Sequence, residues 1–197
     1  IFTFFSSFGQ SFFIGLFNSN IRSELSITHG EFGSIYAVAT LISSFTLIWV
    51  GKKIDELKLI YFSFLVILLL FFSSLFFSLV NNIYLLFLGI YFLRLSGQGL
   101  MSHTATTSIS RYFEKRRGKA LSVAWLGLSA AEFILPIMIV FFLSLYSWRS
   151  IWLSISLIII LFLPFIAYFT IKEVTLISRE KKSVNSKEID IKSWTRK

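Results

Sequence analysis

Cysteine does not occur in the 197 residues, so disulfides, thiolate metal ligands and thiol nucleophiles are all excluded. Histidine occurs twice, at His29 and His103, far apart and without a His-Glu-x-x-His element. No metal and no cofactor is therefore expected. Proline also occurs only twice, and charged residues make up 15% of the chain, too few to clothe a soluble domain of this size. An enzyme is not expected either. Ser129 sits in a GLSAA stretch, but no histidine follows it, as an intramembrane serine protease would need. A channel would need a re-entrant loop, and only the connector at 18–31 has the length for one.

What the chain does have is apolar length. Hydrophobic residues are 55% of the total and 24 of them are phenylalanine. About 20 apolar residues cross a bilayer as a helix. Six stretches qualify or nearly so, at about 1–18, 32–50, 59–80, 83–110, 118–145 and 149–171. The spacing predicts an all-α membrane protein with six transmembrane helices.

The cations set the orientation. Lys52, Lys53 and Lys58 fall in the connector at 51–58, five more in 111–119 and eight from Lys172 onward, whereas the alternate connectors hold only Arg22 and Arg149. Positive residues stay on the cytoplasmic side, so the N-terminus and residue 172 onward are expected there. The net charge of +9 thus reads as topology and anionic-lipid contact rather than as a nucleic-acid surface. Residues 172–197 read as a basic cytoplasmic linker. Residues 1–17 lack the basic start and small-residue cleavage site of a signal peptide. The chain opens inside an apolar run and stops in KSWTRK, so a fragment is expected, with a half-size protein that dimerises as the alternative.

The six stretches differ in kind. The third and sixth are apolar nearly all round and read as lipid-facing; the first, second, fourth and fifth carry polar residues and should face one another or a wet cavity. Two polar stretches followed by an apolar one, twice over, is the pattern of a three-plus-three repeat. Gly9-Gln10 in the first stretch matches Gly97-Gln98 in the fourth. A step of about 100° per residue puts Arg94, Gln98, Met101 and Ala105 on one face of the fourth and Ser96, His103, Thr107 and Ser110 on the other.

Two ions lie deep in the apolar runs, Arg94 in the fourth and Glu132 in the fifth. Each costs on the order of 3 kcal/mol at mid-bilayer depth, which favours a functional role. Arg94 offers a planar, always-charged fork suited to a carboxylate; a structural ion pair is the other reading. Glu132 could carry a proton, exchanging partners with Arg94, or form a permanent Arg94–Glu132 salt bridge. His103 is either a proton relay or an interhelical hydrogen bond, and Gln10 either touches substrate or joins helices. Gly97, Gly99, Gly127 and Pro136 are expected to serve helix packing.

These residues together resemble the N-terminal half of the major facilitator superfamily. The loop after its second helix carries a Gly-x-x-x-Asp-Arg-x-Gly-Arg-Arg signature, and GKKIDELK here keeps Gly51, Asp55, Lys52, Lys53 and Lys58. Glu56 replaces the usual Arg and Leu57 stands near the usual Gly. RLSGQG supplies Arg94, Gln98 and Gly99 to a second signature, and RYFEKRRGKALSVAWLGLSAAEFILP is similar to bacterial oxalate/formate and monocarboxylate members. The Gly-Pro-rich antiporter signature is not kept.

The resemblance implies a six-helix, inverted-repeat half of a transporter in a bacterial-type inner (plasma) membrane, working by alternating access. Its helices one and four would line the cavity, Gly51, Asp55, Lys52 and Lys53 would form a gating loop, and a C-terminal half would complete the site. The expected cargo is a small organic solute, most simply a carboxylate, by symport or antiport with proton coupling open. The alternatives are a non-anionic solute or a scaffold protein whose Arg/Glu pair is structural.

Overall fold

The computed structural model describes residues 1–113 and 116–194, with side chains as far as Lys172. Glu114 and Lys115 of the basic connector, residues 195–197 and the side chains of the tail beyond Lys172 lie outside the described residues. Among the described residues, five helical rods are long and apolar enough to cross a membrane. They are α4 (His29–Glu56), α5 (Leu59–Ser78), the rod Ile83–Tyr112, α8 (Arg117–Leu143) and the first 25 residues of α9, Trp148–Lys172. The fold is thus all-α and multi-pass. α9 runs on without interruption to Trp194, past the expected boundary at 171.

Where a sixth continuous helix is expected, over 1–18, the chain instead breaks into short pieces. These are α1 (Phe2–Phe5), a 3₁₀ turn at Ser6–Gly9, α2 (Ser11–Gly15) and α3 (Asn18–Leu25). Gln10 between them is extended, with φ −80° and ψ 154°. The break has a tertiary cause, described below. The rod Ile83–Tyr112 is also irregular: α6 (Ile83–Leu93) passes into a π-helical segment at Arg94–Met101 before α7 (Ser102–Tyr112) resumes.

Local chemistry fixes the ends. Thr28 and Glu31 form a capping box at the start of α4, each side chain taking the other's backbone N–H, at 3.2 and 2.7 Å. Ser26, left-handed at φ 54°, turns the chain out of α3. The Asn82 carboxamide accepts from the N–H groups of Tyr84 and Leu85 and opens α6.

α5 lies along α9, α4 packs on α6 and the π segment, α1 packs on α8, and the 3₁₀ turn crosses the π segment near the centre. The third and sixth stretches, α5 and α9, do not face lipid all round. Of their apolar spans 44% and 39% is buried, against 11% in α4 and 17% in α8. The reason is visible on α5 and α9: Ser63, Ser73, Ser74 and Ser78 of α5 and Ser156 of α9 are buried, Ser73 against Ser96 of the π segment. Small residues let helices approach closely, and hydropathy scores a leucine alike whether lipid or protein covers it.

Candidate polar site at the helix crossing

The centre of the molecule is a backbone-to-backbone contact. A Cβ placed on Gly9 would lie 2.5 Å from the Gln98 nitrogen and 2.8 Å from Gly97 Cα; one on Gly97 would lie 2.6 Å from the Gly9 nitrogen. No residue but glycine fits at either position without the helices separating. The two Gly-Gln pairs of the sequence therefore meet.

This close approach brings Arg94 into reach of the break at Gln10. Arg94 is 7% exposed, and its Nη1 donates to the Gly9 carbonyl at 3.0 Å and to Ser11 Oγ at 3.3 Å. A helix that breaks frees backbone groups, and in an apolar setting each needs a new partner. Arg94 supplies it from 85 residues away. Tyr36 of α4 completes the cluster: its ring lies 5.3 Å from the guanidinium carbon, and its hydroxyl donates to Ser11 Oγ at 2.8 Å. Arg94 Nε is buried without a partner, as are Gln98 Oε1 and Ser102 Oγ further along the same rod, Ser7 Oγ of the 3₁₀ turn and Thr40 Oγ1 of α4. Such a group of unsatisfied polar atoms is unusual in a native interior. A π segment within an α-helical rod is itself a frequent mark of a functional site.

The expected Arg94–Glu132 salt bridge does not form. Among the described residues the ion pairs are Lys53–Glu56, Arg111–Asp55 and Arg149–Glu24. Glu132 is exposed on α8. Both residues sit in apolar runs, but which way each points is set by how the helices cross, and Arg94 turns toward α2 and α4 instead. Gln10 is half-buried at the break itself.

The remaining residues gather elsewhere. His103 Nε2 is 3.1 Å from the Gly51 carbonyl, so the tautomer protonated there donates to it. Arg111 Nη2 donates to the Ile54 carbonyl at 3.0 Å and meets the Asp55 carboxylate at 2.5 Å. Together these tie the last turns of α4 to α7, which suits the negative end of a helix dipole. Lys52 is exposed and Lys53 pairs with Glu56. Gly99 receives Leu47 of α4, whose Cδ1 would be 3.2 Å from an added Cβ. Gly127 lies under Thr3, whose hydroxyl donates to the Ala124 carbonyl at 2.5 Å. Pro136 lies inside α8, half-buried.

Sequence reasoning missed a second cluster at the opposite end of the bundle. Glu24 of α3 accepts from Trp148 Nε1 at 2.6 Å and from Arg149 Nη2 at 2.7 Å. Arg149 Nη1 donates to the Val80 carbonyl just past α5, and its guanidinium lies 4.3 Å from the Trp148 ring centroid. No local motif joins residues so far apart in the chain. Among the described residues no group of three His, Cys, Asp or Glu side chains could hold a metal.

The family description that matches the chain is Major Facilitator Superfamily, over residues 1–195. Neither the curated proteins nor the solved structures give a match.

Proposed function

The chain belongs to the major facilitator superfamily, a family of transporters rather than enzymes, and on that premise we propose that it moves a small organic carboxylate across the membrane by alternating access. The observation that carries this is Arg94: deeply buried, without a carboxylate partner among the described residues, and bonded to the first segment through Nη1 alone while Nε stays unpartnered. The Nε–Nη2 edge of a guanidinium matches a carboxylate side-on, with two parallel hydrogen bonds. Gln98 Oε1 and Ser102 Oγ would then hydrogen-bond the rest of the solute. Gln10 and His103 are further candidates for contact or coupling, and Glu132, exposed on α8, for a proton carrier.

The architecture supports the reading without supplying the cargo. Exchanging the first and fourth, second and fifth, and third and sixth segments maps the packing of α1 on α8 onto that of α4 on the fourth rod, with Gly9 and Gly97 at the centre. This is what an inverted three-plus-three repeat would give. The largely uncovered faces of α4 and α8 would take a second six-helix half, and the Gly51–Asp55 end of α4 would serve as the gating loop. The basic end would face the cytoplasm. Likeness to oxalate/formate or monocarboxylate transporters rests on the 111–136 stretch and stays part of the proposal.

A second reading has its own observation: Arg94 closes the break at Gln10, which is a structural task. Reconstituted protein tests the two together, with uptake of mono-, hydroxy- and dicarboxylates measured with and without a pH gradient. Arg94→Lys keeps the charge and a donor for the Gly9 carbonyl but loses the fork. If Arg94 grips the solute, Arg94→Lys inserts normally and uptake falls roughly 100-fold or more, as for a lost charge-assisted bidentate contact. If Arg94 only closes the break, Arg94→Lys restores both fold and uptake where Arg94→Gln loses both. Loss of pH dependence in Glu132→Gln would assign that carboxyl to coupling.

A further inference from the structure

Two of the atoms left unbonded at the crossing work in one direction only. Arg94 Nε donates and Gln98 Oε1 accepts, whereas the hydroxyls of Ser7, Thr40 and Ser102, unbonded as well, do either. The Gln10 carboxamide, half-buried at the break, also serves both ways. The one-way pair therefore fixes what a partner must bring: an acceptor for Arg94 and a donor for Gln98.

The two groups are placed to meet one solute. Arg94, Gln98 and Ser102 follow one another at four-residue spacing along one side of the rod. The backbone of Gln98 is pinned at the crossing, where its nitrogen lies 2.5 Å from the position of a Gly9 Cβ. Arg94 Nε and Gln98 Oε1 are enclosed by the described residues themselves, so nothing seated on the uncovered faces of α4 and α8 reaches them. Their partner has to be taken in between the first segment and the rod.

A donor on the solute is either a hydroxyl or an ammonium, and charge decides between them. Glu24, Asp55 and Glu56 are paired elsewhere, Glu31 is held by Thr28, and Glu132 is exposed on α8. Among the described residues Arg94 thus meets no carboxylate that would offset a second cation. An ammonium would add like charge in an apolar setting; a hydroxyl adds none.

We propose that Gln98 is a specificity-determining residue and that the solute is a hydroxy-carboxylate. The carboxylate takes the Nε–Nη2 edge of Arg94, and the hydroxyl donates to Gln98 Oε1. This rests on the carboxylate reading above and narrows it, since unsubstituted acids, keto acids and fully ionised diacids bring no donor.

The test is uptake into proteoliposomes holding the full chain, with two matched sets of solutes. Propionate, lactate and alanine differ only at the second carbon, as do succinate, malate and aspartate. In at least one set the hydroxy acid should exceed the unsubstituted acid by about 5- to 150-fold in kcat/KM, the cost of leaving a buried acceptor unpaired. The amino acid should fall below the hydroxy acid. Gln98→Leu should bring the hydroxy acid down to the level of the unsubstituted acid, whose own uptake is kept. These ratios are taken within one preparation and do not depend on how much of a variant folds. Equal uptake of hydroxy and unsubstituted acids, both lost in Arg94→Lys, would overturn this inference and leave carboxylate transport standing. A hydroxyl preference that survives Gln98→Leu, or an amino acid ahead of its hydroxy acid, would overturn it too. Propane-1,2-diol moving as fast as lactate would sink the carboxylate reading and this inference together.

Discussion

Where Ser6–Gly9 crosses Arg94–Met101, glycines bring backbone onto backbone; where α2 and α5 each meet Trp152 of α9, aromatic rings fill the space instead. In that second region Phe13, Phe17 and Phe77 surround Trp152, with centroids 5.5, 5.3 and 4.8 Å away. Association of helices in lipid draws on contact rather than on removal of apolar surface from water. The crossing obtains contact by having no side chain, the ring cluster by having large ones. An added atom is therefore costly in the first place and a removed atom in the second. The polar cluster around Arg94 belongs to the crossing alone, since only a close backbone approach lets a guanidinium reach a freed carbonyl.

The largest effect should come from emptying the ring cluster. Trp152→Ala removes a side chain with no exposure and should cost about 3–5 kcal/mol, read as thermal unfolding in detergent. An unchanged midpoint would mean that the rings are not where the packing energy lies. Overfilling the crossing comes next. Gly97→Ala and Gly9→Ala should each cost about 1–3 kcal/mol. Made together, they should cost less than their sum by at least ~0.5 kcal/mol, because either one already pushes the two backbones apart. Additive costs would show that the glycines act separately.

Glu24→Gln, at the edge of the ring cluster, weakens the acceptor of Trp148 and Arg149 and should cost about 1 kcal/mol, with the Arg149 bond to the Val80 carbonyl kept. The smallest effect has the opposite sign. Gly33 has open space around it, so Gly33→Ala should stabilise α4 by up to about 1 kcal/mol. A loss there would mean that glycine is needed in α4 for a reason other than space.

Much of this was legible in the sequence, and the parts that were not share one cause. Hydropathy was enough to read an all-α, multi-pass chain with several long apolar helices, because that signal is local. The matching Gly-Gln pairs and the buried Arg94 were also readable, as glycine and arginine are conspicuous in apolar runs. The break at Gln10 was not. No proline marks it, and the group that sustains it, Arg94, lies far off in the chain. Glu132 was assigned the wrong neighbour for the same reason, since periodicity gives a residue's position around its own helix and not the direction in which that helix is turned. The buried serines of α5 and the Glu24–Arg149 pair likewise depend on which helices come together.

The division of the first segment has a mechanical consequence. Its arm before Gln10 is fastened to α8 through Thr3, Ala124 and Gly127, and its arm beyond Gln10 is fastened to α9 through Phe13, Phe17 and Glu24, with α2 also touching α8. An unbroken helix would couple those two anchorages as a rigid strut. With an extended residue between the arms, the segment is a jointed linkage whose pivot sits at Gly9, against Gly97 and under Arg94. A change of angle between the two arms would be centred on that pivot, beside the guanidinium of Arg94.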